Sequence, residues 1–385
     1  LKKANADCEV IFDDGSDLER AKKLAAESDA VVFVVGYNYD DEGEFVSGDQ
    51  ASNYTGAMGG DRKVSLGLHE DEIKLLQEVG PVNAKSAAVL VGGNMIMMTQ
   101  WYDCINSVLM AYYPGMEGGT ALAEILYGDV NPSGKLPYVV PYSEDDLPHV
   151  DWEATDQYYE YYHGYTRLEK NGVKPLVPYG FGLSYTTFDI TDPTAVVDGD
   201  QLKVTAKVKN TGTTDGEEVV QVYVKAPQGK LGNPARKLIG FAKTRELAPG
   251  EKEELVIIIP KYDMASYDDS GVTGHKSCYV LEEGTYEIFA GSDVRSAKSA
   301  GIYEEELRVI EQLQEAYAPI EKFRRMKAVL RADGTYQAVT EEVPVRTADP
   351  HKRREERMPK TLEYTGDKGY KLADVLDKKV SMDEF

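Results

Sequence analysis

Four carboxylates fall within five residues at Asp40-Asp41-Glu42-Gly43-Glu44, directly after the apolar run 30–37 (AVVFVVGY). Crowded like charges repel, and repulsion raises the pKa of at least one member, so that a carboxyl can hold its proton near neutrality. Such a carboxyl suits a general acid. An acidic surface turn has the same spacing and is the plainer reading on spacing alone. A calcium loop is a further reading, but the ligand order of an EF-hand is missing.

Elsewhere the usual chemical motifs are incomplete. Gly92-Gly93-Asn94-Met95 follows a strand-like run but lacks the later glycine of a dinucleotide fingerprint. Gly182-Leu183-Ser184-Tyr185-Thr186 imitates a nucleophile elbow without its final glycine, in turn-rich text rather than between strand and helix. His69, His149, His163, His275 and His351 show no HxxxH or HxH spacing, so each reads as a surface or packing residue rather than a zinc ligand. These patterns lead us to expect no cofactor and no metal. Cys8, Cys104 and Cys278 lie far apart, and an odd number cannot complete a disulfide framework. They read as reduced thiols, which favours a cytoplasmic setting.

The elements that must position the acidic loop follow a helix–strand alternation. Residues 17–28 (DLERAKKLAAES) carry apolar positions at helical spacing, and 30–37 is a short apolar run of buried-strand type. The pattern repeats as a helix at 69–79, a strand at 86–93, a helix end plus strand at 104–113, and a helix at 117–128 closed by Gly128. Such alternation makes a parallel sheet with helices on both faces, in which ligands meet the loops after the carboxyl ends of the strands. Residues 37–44 and 114–119 fall there. From about Asp189 the period changes to short alternating strands at 202–212, 218–227, 237–247, 252–260 and 284–293, which predicts an all-β sandwich of immunoglobulin or fibronectin type III-like size. The stretch 302–330 reads as helical with a break at Pro319. Residues 344–369 are charged, turn-rich and poor in apolar residues, and their basic cluster His351-Lys352-Arg353-Arg354 reads as a solvated run interleaved with Glu355 and Glu356.

Composition sets outer bounds on function. At 385 residues the chain exceeds one ordinary core, so two domains plus connecting segments are expected. Lys and Arg number 43 against 66 Asp and Glu, and the resulting net charge of -23 repels phosphate backbones, so nucleic acid is not an expected partner. No run approaches the roughly 18 apolar residues of a membrane span, and residues 1–30 lack a signal-peptide profile. The chain opens on Leu1-Lys2-Lys3 without an initiator Met and reads as having lost its true N-terminus.

Several further segments are distinctive in combination: GGDRKVSL, WYDCINSVLMAYYPGMEGGTALAEILYGDVNPSGKLP, YYHGYTRL, PYGFGLSYTTF, VKNTGTTDGEEVVQVYV and LAPGE. In this order, over about residues 28–293, they resemble the C-terminal part of glycoside hydrolase family 3, whose members include many β-glucosidases. The resemblance implies an α/β sandwich at 1–187, a fibronectin type III-like domain at 188–298, and a linker and tail at 299–385. In that family a separate (β/α)8 barrel supplies the nucleophilic Asp and most sugar-binding residues, and a loop of the α/β sandwich often supplies the acid/base Glu. This chain contains no barrel. The acid/base Glu commonly stands in a Glu-Gly pair shortly before Asp-Arg; here Glu42-Gly43 precedes Asp61-Arg62 across an insertion, 44–60. Glu42 is therefore implied as acid/base, with Glu44 as the alternative register, and Asp61 and Arg62 as a structural ion pair beside the site. Residues 369–375 (GYKLADV) and the end 381–385 (SMDEF) look like the lead-in to a barrel in members with reversed domain order.

The implied function is one part of a retaining glycosidase acting on a glycoside or oligosaccharide, with the barrel of the same enzyme as partner and the isolated chain inactive. A non-catalytic carbohydrate-binding or scaffolding fragment is the alternative. A nucleotide-binding α/β protein would need a glycine-rich phosphate loop that the sequence lacks.

Overall fold

The computed structural model describes residues 7–42, 65–151, 154, 161–315, 317–358 and 369–385. Helix α1 (Leu18–Glu27) starts where the Asp17 carboxylate accepts the amides of Glu19 and Arg20. Each such bond satisfies a donor that the first helical turn leaves unpaired. Strand β1 (Val31–Gly36), a short helix α2 (Tyr39–Glu42), helix α3 (Glu70–Val79), β2 (Ser86–Val91), β3 (Ser107–Met110) and helix α4 (Gly118–Tyr127) follow. The strands form one parallel sheet in the order β1-β2-β3, with Val31 opposite Ser86 and Ala87 opposite Ser107. Their apolar runs place Phe33, Val35, Ala88 and Leu90 in a core with Ala21 and Ala25 of α1, Leu76 and Val79 of α3, and Trp101.

Parallel neighbours deliver their carboxyl ends to one edge, and the chain turns sharply there. Gly36 has φ 143°, and a Cβ on it would stand 1.9 Å from the Val91 carbonyl oxygen, so a side chain cannot fit. The Glu72 carboxylate ties this end together by accepting the Gly36 amide at 2.9 Å and the His69 amide at 3.1 Å.

After helix α5 (Gly164–Asn171) strands dominate as far as residue 342. Strands β4 (Phe188–Asp198), β5 (Gln201–Asn210) and β8 (Lys252–Pro260) form one antiparallel sheet. Strands β6 (Val219–Lys225), β7 (Lys237–Lys243), β11 (Gly284–Gly291) and β12 (Lys298–Glu305) form a second, in the order β12-β11-β6-β7. Alternation drives the packing: Leu202, Val204, Ala206 and Val208 of β5, with Ile257 and Ile259 beside them on β8, meet Val220, Val222 and Val224 of β6 in one buried core. A small sheet of β9 (Ser266–Asp268), β10 (Cys278–Leu281) and β13 (Arg308–Gln312) and a hairpin of β14 (Arg324–Leu330) and β15 (Tyr336–Glu342) complete this unit.

The helical expectation for 302–330 is overturned. Lys298–Glu305 pairs with β11, Arg308–Gln312 pairs with β10, and Arg324–Leu330 pairs with β15. Glu, Leu and Arg favour a helix locally, but pairing with open strand edges outweighs so weak a preference. Partial burial on β12 alternates at Tyr303 and Glu305, which is the period of a strand.

Residues Gln314–Glu321 and Pro344–Phe385 form a second, small unit. Within it the Glu315 carboxylate accepts the amides of Thr347 and Ala348 at 2.6 and 2.9 Å. Helix α6 (Pro350–Arg357) begins on the Asp349 cap and carries His351, Lys352 and Arg354 exposed, as a solvated run should. Helix α7 (Leu372–Leu376) follows near the end.

The motifs around the domain junction are structural. Asn131 donates to the Asp215 carbonyl and accepts from the Ser184 hydroxyl and the Tyr185 amide. Ser184, the residue of the imperfect nucleophile motif, is thus a turn anchor. Gln221, buried on β6, donates to the Gly180 and Ser292 carbonyls at 2.9 and 2.6 Å. Tyr179 stacks on Tyr165, ring centroids 4.4 Å apart, and both pack against a buried cluster that includes Tyr223 and Phe289 of the sandwich.

Candidate active site

The acidic stretch begins at Asp40, four residues after β1 ends at Gly36, and its described carboxylates differ in their surroundings. Asp40 is exposed. Asp41 is 4% exposed; its Oδ2 accepts the Asn38 amide at 2.9 Å and lies 3.0 Å from Nε2 of His69. Glu42 turns instead to the neighbouring loops. Its Oε2 accepts the amide of Gly93 at 2.7 Å and the hydroxyl of Tyr113. The like-charge crowding expected from the sequence is thus relieved among the described residues by sending successive side chains to separate anchors. Glu44, Asp61 and Arg62 lie outside the described residues.

Topology explains how residues so distant in the chain meet. Glu42 follows β1, Gly93 follows β2 and Tyr113 follows β3, and these three strands are parallel neighbours. Loops after their carboxyl ends share one edge of the sheet, the usual place for a ligand in an open α/β fold. Gly93 has a steric role as well: a Cβ there would stand 3.0 Å from Glu42 Oε2 and 3.1 Å from Tyr113 Cε2. The carboxylate reaches the backbone amide because no side chain occupies that space. Just before Tyr113, Tyr112 adopts φ 53°, which a bulky residue rarely accepts, and its ring packs edge-on to Tyr138 with centroids 6.3 Å apart. The turn redirects the chain as it leaves β3.

Partial burial, followed by the hydrogen bond to Glu42, pushes the Tyr113 phenol up to about 12. It therefore keeps its proton at physiological pH and remains a donor. Asp41 and His69 fasten the other side of the turn, so the backbone between Asn38 and Glu42 is held at two points. Chemically, the arrangement presents one fixed carboxyl group that can give or take a proton. Among the described residues no group of three or more His, Cys, Asp or Glu side chains is placed to hold a metal ion.

Sequence reasoning singled out Glu42 and neither of its two hydrogen-bond partners. Gly93 was visible only as part of an incomplete dinucleotide motif, and Tyr113 only as the end of the strand-like stretch 104–113. The usable signal was positional, since both stand just beyond strands of the same parallel sheet as β1.

Fold and site together define a class: an α/β domain with an anchored carboxylate over the strand ends, joined through a polar junction to an antiparallel β-sandwich. Comparison with known proteins makes it specific. Residues 3–185 match the glycosyl hydrolase family 3 C-terminal domain, and residues 218–294 match the fibronectin type III-like domain. The chain belongs to glycoside hydrolase family 3.

A β-glucosidase of Ruminococcus albus is 38% identical over 375 residues, covering 94% of this chain and 37% of that protein. A β-glucosidase from Paenibacillus barengoltzii has a structure similar to this one, with TM-score 0.77 and 36% identity over 98% of this chain and 41% of that one. β-Glucosidase 3B from Thermotoga neapolitana in complex with glucose gives TM-score 0.65 and 32% identity over 78% and 41%. The chain thus spans well under half the length of these relatives.

Proposed function

We propose that this chain supplies the acid/base carboxylate of a retaining β-glucosidase-like glycosidase, with Glu42 in that role and the nucleophilic Asp on a (β/α)8 barrel of the same enzyme. The observation that carries the reading is the Glu42 carboxylate held by Gly93 and Tyr113 over the carboxyl ends of three neighbouring strands. The similarity to β-glucosidases supports the substrate class, a terminal β-glycoside. We draw the α/β domain at 1–187 and the sandwich from 188, with the segment beyond the sandwich leading towards the barrel, as in a reversed domain order.

In the first step the barrel carboxylate attacks the anomeric carbon while Glu42 protonates the departing glycosidic oxygen. In the second, Glu42 takes a proton from water as that water displaces the barrel carboxylate. Two inversions retain configuration, which requires carboxyls about 5–5.5 Å apart. Glu42 alone supplies half of that pair. The isolated 385-residue chain is therefore expected to leave an aryl β-glucoside uncleaved, whereas the chain joined to its barrel hydrolyses it. Measurable hydrolysis by the isolated chain, released phenol being read by absorbance, contradicts the divided site.

A further inference from the structure

Resting on the reading of Glu42 as acid/base, we propose that Tyr113 is a positioning residue which, with the Gly93 amide, commits Oε2 of Glu42 to the protein and leaves Oε1 as the oxygen that handles the proton. Among the described residues, both donors to this carboxylate reach Oε2. An oxygen that accepts two hydrogen bonds is the carbonyl oxygen of the protonated acid, because the acid's hydroxyl oxygen shares a lone pair with the carbonyl, accepts weakly and must itself donate. The acid proton therefore resides on Oε1. It passes from Oε1 to the glycosidic oxygen as the bond from that oxygen to the anomeric carbon breaks. Oε1 then accepts a proton from the water whose oxygen forms the new bond to that carbon. Oε2 keeps the same two donors throughout, so neither step requires the anchor to rearrange.

Three independent features of the chain serve this contact. The Tyr113 hydroxyl stays protonated, so it can donate in both states of Glu42. Position 93 has no side chain, and a methyl group there would press on both Oε2 and the Tyr113 ring. The backbone at Tyr112 is held in a left-handed conformation where the chain turns towards Glu42. Strain retained beside a functional group points to a geometry that the fold maintains against local preference. Tyr113 is itself 56% exposed, so its hydroxyl is not needed for the core.

The test uses the complete enzyme and pairs two substrates, an alkyl β-glucoside that needs protonation to leave and a dinitrophenyl β-glucoside that does not. Tyr113→Phe is expected to lower kcat/KM for the alkyl substrate on the order of 10- to 100-fold, the effect of misplacing a catalytic group, while the dinitrophenyl substrate's kcat/KM changes less than about twofold. Introduced into Glu42→Gln, Tyr113→Phe is expected to add nothing, since the group it positions has gone. Gly93→Ala provides a second variant and is expected to show the same selectivity. If Glu42→Gln is selective for the alkyl substrate but Tyr113→Phe and Gly93→Ala slow both substrates alike, or neither, the positioning role is wrong and Glu42 stands. If Glu42→Gln shows no selectivity, the reading of Glu42 fails and the positioning role fails with it.

Discussion

Glu42→Gln, in the enzyme assembled with its barrel, is expected to cut turnover of an alkyl β-glucoside by about 10²- to 10⁴-fold, the usual worth of general acid–base catalysis. Gln keeps the size of the side chain and can still accept the Gly93 and Tyr113 hydrogen bonds through its amide oxygen, so the loop should retain its shape. What it loses is the transferable proton. The penalty must therefore scale with how much the leaving group needs that proton: large for an alkoxide, small at the first step for a dinitrophenolate. Glu44→Gln, under the same account, leaves both substrates within a few-fold of the parent enzyme. Measuring kcat/KM for the two substrates in the two variants separates the registers. A selective loss in Glu44→Gln with none in Glu42→Gln moves the acid/base two residues along the loop.

The second large effect concerns the junction that holds the two domains in place. Lys135 Nζ lies 2.7 Å from Glu218 Oε1, with the side chains 12% and 11% exposed, and also donates to the Gly182 carbonyl at 2.8 Å. Glu218 accepts the Val219 amide at 2.6 Å and has little access to water. Lys135→Met removes the cation and leaves a buried carboxylate uncompensated, which costs about 3–5 kcal/mol. The denaturant midpoint of the 385-residue chain should fall accordingly. Adding Glu218→Leu to Lys135→Met should recover most of the loss, because replacing both charges by apolar groups removes the desolvation cost as well. A change below about 1 kcal/mol in Lys135→Met would mean that the pair is hydrated in solution and contributes as a surface ion pair does.

These two sites show why the fold was more legible than the chemistry. Strand β5 could be read directly, because Leu202, Val204, Ala206 and Val208 alternate with polar residues and each buries in the core. The helix–strand alternation before residue 130 was equally plain, since α1, α3 and α4 begin within one residue of their expected starts. The region after 300 was misread because its Glu, Leu and Arg content speaks for a helix while its partners in β11 and β10 are invisible to a local window. Lys135 and Glu218 are 83 positions apart and could not be paired by spacing.

The candidate site was half legible for the same reason. A dense acidic run after a buried strand draws attention by itself, and the family resemblance narrowed it to Glu42. Tyr113 lies 71 positions from Glu42 and carries no sequence mark of its role. His69 read as a surface or packing residue, yet its ring stands against the buried Asp41 carboxylate. Both contacts join residues of different elements brought together by the fold, which a sequence window does not contain.

Azide rescue of Glu42→Ala in the assembled enzyme tests the acid/base assignment most directly. Without its base, the variant should stall at the glycosyl-enzyme ester formed from a dinitrophenyl β-glucoside. Azide carries its own charge and needs no base: its nitrogen bonds to the anomeric carbon as the ester bond breaks and the barrel Asp departs as a carboxylate. The account predicts that azide accelerates turnover of Glu42→Ala and that the product is the β-glucosyl azide, configuration retained. Full activity of Glu42→Ala on an alkyl β-glucoside, with no acceleration by azide and no glycosyl azide formed, contradicts it.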